Sequence, residues 1–322
     1  MEKNSKILVL GSGGLLGSAV KMILIKKDFE NIISPRRKEL NLLQKKEIDD
    51  YLLKQQPDYI FMCAGLVGGI KANKDRPADF IYENGVMILN LLESIKNNSP
   101  DSKIMYSGST CIYPKDNPQP INEERFLSGK LEKTNIGYAV AKIMGITACQ
   151  SYNYQYGLKT LCVQPTNMYG PNDNYNLETG HMIPSLIKKI LLAKKNKEKI
   201  ELWGTGSPRR EALYSEDCAE AMIYLMKNYN HPDIVNIGTG FDYSIKEFAE
   251  IIQEEVGYTN AIKWDSSKED GTFEKRTDIQ KLKSIFPEFN PRSLKGGLRE
   301  ILSDERELKR ILEGPNKPFL IS

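Results

Sequence analysis

The stretch "KILVLGSGGLLGSAVKMILIKK", residues 6–27, decides how the rest of the chain is read. Residues 6–10 are a short apolar run suited to a strand buried on both faces, and a helical pattern begins near Leu15. Between them lie Gly11, Gly13, Gly14 and Gly17, and Gly11, Gly14 and Gly17 have the spacing GxxGxxG. Glycines so placed permit a tight turn, let the backbone approach a pyrophosphate, and seat the helix on the strand with its N-terminal amides facing the anion. A strand before and a helix after are the context this motif requires. A dinucleotide site is therefore expected here.

The next strand, "NIIS" at 31–34, should end beside the adenosine ribose. A carboxylate there would accept from a ribose 2′-hydroxyl, but "PRRKELN" at 35–41 supplies Arg36 and Arg37 instead. A guanidinium pair fits a 2′-phosphate, so NADP(H) is the expected cofactor. Strand-like runs at 58–64, 103–109 and 159–164 alternate with helical patterns at 44–55, 78–97 and 137–156. This rhythm predicts an α/β fold with a doubly wound parallel Rossmann sheet, whose ligands sit at the carboxyl ends of its strands.

Composition excludes several classes. The chain has 322 residues, 40% hydrophobic and 27% charged, enough for a large domain and a smaller companion. Its net charge of +3 is spread through mixed Lys/Glu stretches, so no nucleic-acid face is expected. Cys63, Cys111, Cys149, Cys162 and Cys218 show no paired spacing, which favours reduced thiols. With only His181 and His231 available, no metal site is expected. No run is long enough for a membrane span, and the early first strand leaves no room for a signal peptide, so a cytoplasmic location is expected.

"YSGSTCIYPK" at 106–115 places Ser109 and Cys111 at a strand's carboxyl end, over the expected cofactor. Further on, "GYAVAKIMGITACQSYNYQYG" at 137–157 carries Tyr138 and Lys142 at i and i+4 of a helix. Both side chains then leave one face, and an ammonium beside the phenol is expected to favour its ionised form.

A glycine-rich turn, a serine ending the fourth strand and a following YxxxK helix resemble the extended short-chain dehydrogenase/reductases. Six further stretches, "VGGIKANKDRPADFIYEN", "STCIYPKDNPQPINEE", "YAVAKIMGI", "QPTNMYGPNDNY", "HMIPSLIKK" and "LWGTGSPRRE", resemble the GDP-L-fucose synthase family in order and spacing over residues 6–275. The resemblance implies an NADPH-dependent 3,5-epimerase/4-reductase of a GDP-4-keto sugar, GDP-4-keto-6-deoxy-mannose. It implies that Ser109 hydrogen-bonds the substrate oxygen, Tyr138 delivers the proton, Lys142 binds the nicotinamide ribose, and Cys111 and His181 exchange protons at C3 and C5. The cofactor would lie against Gly11, Ser12, Gly13, Gly14, Leu15, Leu16, Gly17, Arg37, Asn41, Leu42, Ala64, Lys142, Pro165, Thr166, Asn167, Met168 and His181. Lys189, Trp203, Arg210 and Asp270 would contact the GDP-sugar, Trp203 offering an aromatic face and Arg210 a bidentate donor for the pyrophosphate. A homodimer through the helices near 78–97 and 137–156 is also implied.

The domains read as an NADP-binding part at 1–169 with returning segments from 210–240, and a mainly sugar-binding part at 170–322. Ser215 is expected to cap a helix starting at Glu216, and Ser244 with Glu247 to form a capping box. A strand at 261–265 and a helical tail from 293, ending in the helix "REILSDERELKRILE", complete the reading. Three places depart from the family: Leu66 where a lysine is common, Lys189 where an arginine is usual, and "ALYSED" at 212–217. These leave a second substrate open, a GDP-4-keto-heptose of a capsule or lipopolysaccharide pathway, reduced without epimerisation.

Overall fold

The computed structural model describes residues 1–268 and 270–314, so the end of the 170–322 span lies outside the described residues. Six strands form one parallel sheet: β1 (Ile7–Leu10), β2 (Ile32–Ile33), β3 (Tyr59–Met62), β4 (Lys103–Ser107), β5 (Thr160–Pro165) and, after four short strands of the other lobe, β10 (Ile234–Ile237). Their order is β10-β5-β4-β3-β1-β2. The direction of winding reverses between β1 and β3, which opens a crevice at the carboxyl ends of those two strands.

The strand sequences explain why both faces are covered. Side chains alternate across a strand, and here both sets are apolar. Ile7, Val9, Phe61, Met105, Leu161, Val163, Val235 and Ile237 enter one core with helices α1 (Leu15–Lys26) and α7 (Ser215–Asn228). Leu8, Leu10, Ile60, Met62, Ile104, Tyr106, Cys162 and Ile234 enter the other, with α2 (Lys45–Gln55), α4 (Pro77–Asn98) and α5 (Ile136–Tyr156). A short α3 (Ile70–Asp75) precedes α4. The strand expected at 103–109 stops at Ser107, and the residues beyond it turn into the crevice.

A third core belongs to the second lobe. It joins α6 (Met182–Asn196), α8 (Ile245–Val256), α10 (Leu294–Ser303) and α11 (Glu305–Glu313), with Ile187, Phe248, Ile252, Leu298 and Ile311 fully buried. Its strands are short: β6 (Met168–Tyr169) with β9 (Leu213–Tyr214), β7 (Glu201–Trp203) with β12 (Lys263–Asp265), and β8 (Arg209–Glu211) between β11 (Asp242–Ser244) and β13 (Glu274–Lys275). Helix α9 (Gln280–Ile285) packs against β10.

A buried carboxylate links this lobe to the large sheet. Glu211 accepts from the backbone amides of Thr239 (2.6 Å), Gly240 (2.7 Å) and Thr277 (2.9 Å), and from the Thr277 hydroxyl (2.7 Å). These donors, with the Thr239 hydroxyl at 3.3 Å, compensate the desolvation that an isolated buried charge would suffer.

Two local readings are corrected. Ser215 is not a cap: α7 begins at Ser215 itself, no side chain caps it, and the Ser215 hydroxyl is buried without a hydrogen-bond partner. It is packed under Gly170, where a β-carbon would lie 2.3 Å from that hydroxyl. The tail is two helices, because Asp304 ends one and caps the next through the amides of Arg306 (2.9 Å) and Glu307 (3.2 Å). The Ser244/Glu247 capping box forms in both directions. Among the described residues no helix is long and apolar enough to cross a membrane, and no cluster could hold a metal.

Candidate active site

The glycine turn sits where close packing leaves no room for side chains. Gly11 has φ +82°, and a β-carbon there would lie 2.6 Å from the Ala64 amide nitrogen. At Gly17 a β-carbon would lie 2.1 Å from the Gly11 carbonyl oxygen. Gly13 faces open space, and α1 has neither a side-chain cap nor an acidic residue in its first turn. The Gly14 amide bonds the Gly11 carbonyl (3.1 Å), and no side chain caps the amides that follow it, which suits a pyrophosphate. Ser12, Leu15 and Leu16 complete the turn.

The flanking residues are ordered by local hydrogen bonds. Asn41 accepts from the Leu43 amide (3.1 Å), and the Asn90 side chain reaches the Leu42 carbonyl (3.3 Å). Past β5 and Pro165, Thr166 donates its amide to Ile237, and Asn167 donates to the Glu211 carbonyl (3.1 Å), just before Met168 opens β6. The two arginines differ: Arg36 is exposed, whereas Arg37 is half-buried, 3.8 Å from Glu83 of α4.

At the end of β4 the chain leaves the sheet in an extended residue, Ser109, which caps the 3₁₀ turn Thr110–Ile112. The Ser109 hydroxyl oxygen accepts from the Cys111 amide at 3.2 Å, and the Asn135 side chain donates to the Cys111 sulfur at 3.2 Å. A thiolate at Cys111 would find that donor in place. Tyr138, in the first turn of α5, lies within hydrogen-bonding reach of Ser109 and is held edge-on by Phe80, ring centroids 6.2 Å apart. Lys142 is buried, donates to the Ser107 carbonyl at 2.7 Å, and stands 5.6 Å from the Tyr138 ring centroid.

The electrostatics differ from the expectation drawn from spacing. Burial pushes the Tyr138 phenol well above its ordinary range, and pulls Lys142 down to about 8. The ammonium faces the ring and spends a hydrogen bond on Ser107, so desolvation outweighs any charge pairing between the two. Tyr138 therefore holds its proton firmly, the state a proton donor must start from.

His181 ends the loop before α6, and that loop packs against the segment that leads into α3. Gly69 donates its amide to the Thr179 carbonyl (2.9 Å), and a β-carbon on Gly69 would lie 2.6 Å from the Gly180 carbonyl oxygen. The α3 helix after Gly69 packs on the 133–135 turn that carries Asn135. His181 is exposed as a residue, and desolvation of its imidazole by the surrounding protein lowers its pKa.

The remaining residues belong to the second lobe. Trp203 is exposed with Lys268 over its ring at 5.8 Å; Arg210 bonds the Arg209 carbonyl (2.7 Å) beside Gly271; Asp270 holds Thr205 through its amide (3.0 Å) and hydroxyl (2.6 Å). Lys189 is half-buried on α6, and that burial lowers its pKa. A cavity of about 660 Å³, lined by Gln56, Asp58, Lys103, Lys159 and Asn230, opens at the other end of the sheet and touches none of these residues.

Sequence reasoning passed over two side chains that shape the cleft, Asn135 and Asn84. Buried Asn84 clamps the backbone of Leu66 in both directions, accepting from its amide (2.9 Å) and donating to its carbonyl (3.0 Å). An asparagine inside a helical pattern gives no local sign of such a partner.

Comparisons with known proteins agree with this architecture. The sequence pattern of the NAD dependent epimerase/dehydratase family matches residues 7–238. A probable GDP-L-fucose synthase 1 of Oryza sativa subsp. japonica is 42% identical over 285 residues, covering 88% of this chain and 87% of the relative. The GDP-L-fucose synthase of Sinorhizobium fredii is 43% identical over 281 residues, covering 87% of this chain and 89% of the relative. Among solved structures, a GDP-mannoheptose C4 reductase from Campylobacter jejuni with NADP bound superposes with a TM-score of 0.87 at 32% identity, covering 96% of this chain and 99% of that one. With a family pattern spanning most of its length and relatives above 40% identity, the chain belongs to the NAD-dependent epimerase/dehydratase family, in its GDP-L-fucose synthase branch.

Proposed function

We propose that this enzyme uses NADPH to reduce the 4-keto group of a GDP-4-keto-6-deoxy-hexose, after exchanging protons at C3 and C5. The observation that carries the reading is the convergence of Ser109, Cys111, Tyr138 and Lys142 at the carboxyl end of β4, beside the crevice where the sheet reverses. The relatives' names support the sugar class.

The residues at the crevice suit the cofactor: the uncapped start of α1 would take the pyrophosphate, Arg37 the 2′-phosphate, and Lys142 the nicotinamide ribose. When bound, it supplies a hydride to C4. The chain's own residues do the rest. A thiolate at Cys111 removes a proton alpha to the ketone, and the enolate oxygen that forms is held by the hydroxyls of Ser109 and Tyr138. His181, made a stronger acid by desolvation, returns a proton as the imidazolium to the same carbon from the opposite face of the enolate, so that the centre inverts; solvent reprotonates the imidazole and takes the proton from the thiol before the second carbon is exchanged in the same way. In the reduction Tyr138 then passes its proton to the C4 oxygen, and the Lys142 ammonium stabilises the phenolate left behind. Arg210 and Lys189 receive the diphosphate and Trp203 the base, so the second lobe is the sugar-binding part. Exposed Ile81, Tyr82 and Leu89 on α4 and Tyr154 and Tyr156 on α5 support pairing of two copies along these helices.

The deciding experiment is a panel of GDP-4-keto sugars in heavy water, followed by NADPH consumption and mass analysis. Turnover of the 6-deoxy-hexose with deuterium gained at C3 and C5 is expected. Turnover of a GDP-4-keto-heptose without deuterium would favour the second reading, which the Campylobacter reductase, Leu66 and Lys189 support. Arg37→Ala should raise the KM for NADPH about tenfold or more and leave that for NADH unchanged, since a hydrogen bond to a charged group contributes ~1.5–3 kcal/mol. An equal change for both cofactors would remove Arg37 from the 2′-phosphate site.

A further inference from the structure

We propose that Gln164 is a positioning residue, whose amide oxygen holds the backbone of Ser109 and so sets both the Ser109 hydroxyl and the Cys111 thiol against the substrate. The inference rests on the function proposed above. Strands β4 and β5 pair up to Ser107 and Val163, and the last ladder bond runs from the Gly108 amide to the Val163 carbonyl at 2.8 Å. Beyond it the chain peels away from the sheet. The Ser109 amide, which the ladder no longer serves, donates instead to the side-chain oxygen of Gln164 at 2.9 Å.

Because Ser109 caps the turn that carries Cys111, one hydrogen bond pins the origin of both reactive side chains. Gly108 makes the arrangement possible: a β-carbon there would lie 2.1 Å from the Gln164 oxygen and 2.8 Å from its carboxamide carbon. Gln164 is wholly buried in β5, and its nitrogen has no hydrogen-bond partner. An orphaned buried donor costs about 1–3 kcal/mol. An apolar residue of similar length would fill the same core without that cost. The residue type is explained by what its oxygen does.

The test compares wild type, Gln164→Met, which removes the acceptor at similar volume, and Gln164→Glu, which keeps an acceptor oxygen at the same reach. Turnover is expressed per NADPH-binding site, titrated on each protein, so that loss of folded enzyme is separated from loss of rate. Small misplacements of reacting groups cost on the order of 10²-fold in rate. Gln164→Met should therefore lower kcat about 10- to 100-fold, with KM for NADPH and the NADPH Kd near wild type, and Gln164→Glu should recover most of the rate. Deuterium uptake at C3 and C5 should fall with the reduction, because Ser109 and Cys111 move together. Wild-type kcat per site in Gln164→Met overturns the inference. So does loss of NADPH binding in that variant, which would make Gln164 merely structural. A wild-type protein that turns over no GDP-4-keto sugar overturns instead the function on which the inference stands.

Discussion

Replacing Tyr138 with Phe lowers NADPH-dependent reduction by about 10²–10⁴-fold, the usual contribution of a positioned proton donor, and leaves NADPH binding intact. The ring still packs edge-on against Phe80, so the variant keeps its shape and loses only the hydroxyl within reach of Ser109. Equal rates in wild type and variant would remove Tyr138 from the mechanism. The same site carries a pH signature. Burial holds Lys142 at about 8, below its ordinary 10.5, so the ammonium is lost as pH rises through 8. Positive charge beside the phenolate goes with it, and the rate should decline on that limb. Stability should move the other way. Between about 8 and 10.5 the folded chain binds fewer protons at Lys142 than the unfolded chain, so this site makes stability rise with pH. Rate profiles and thermal unfolding measured over pH 7–10 check the two signs together.

Cys111→Ser abolishes deuterium uptake at C3 and C5, by about 10²–10⁴-fold, while reduction of the ketone continues. A serine hydroxyl is far too weak an acid to supply the anion at neutral pH, whereas the thiol already has the Asn135 amide donating to its sulfur at 3.2 Å. Ser109, Tyr138 and Lys142 are untouched, so the variant should release the unepimerised 4-hydroxy sugar. Mass and proton spectra of the product distinguish the outcomes. Undiminished deuterium uptake in Cys111→Ser would show that another base does the work.

Much of the fold was legible because its signals are local. The step from a doubly apolar run to a glycine turn to a helix is written in residues 6–27, and β1 and α1 form there. The four-residue spacing of Tyr138 and Lys142 puts them on one face of α5, as any helix would. The Ser244–Glu247 box formed because both partners lie within one turn. Ser215 misled because a serine before an acidic helix start reads as a cap wherever its hydroxyl is free to turn back. Here Gly170 packs against it.

The site was legible only in part. Ser109 and Gln164 are 55 residues apart in the chain, Cys111 and Asn135 are 24 apart, and no spacing rule joins either pair. The ionisation of Tyr138 and Lys142 came out opposite to what their proximity suggests, since the amount of protein around a charge cannot be read from its neighbours in sequence.

The order of residues alone determined the periodicities, and with them the parallel sheet, the glycine turn and the shared helical face, because backbone geometry repeats every two or 3.6 residues whatever surrounds it. Tertiary structure decided which protons are held, and where the serine and thiol stand. Desolvation and long-range hydrogen bonds act through space, between groups that meet only when the chain has folded.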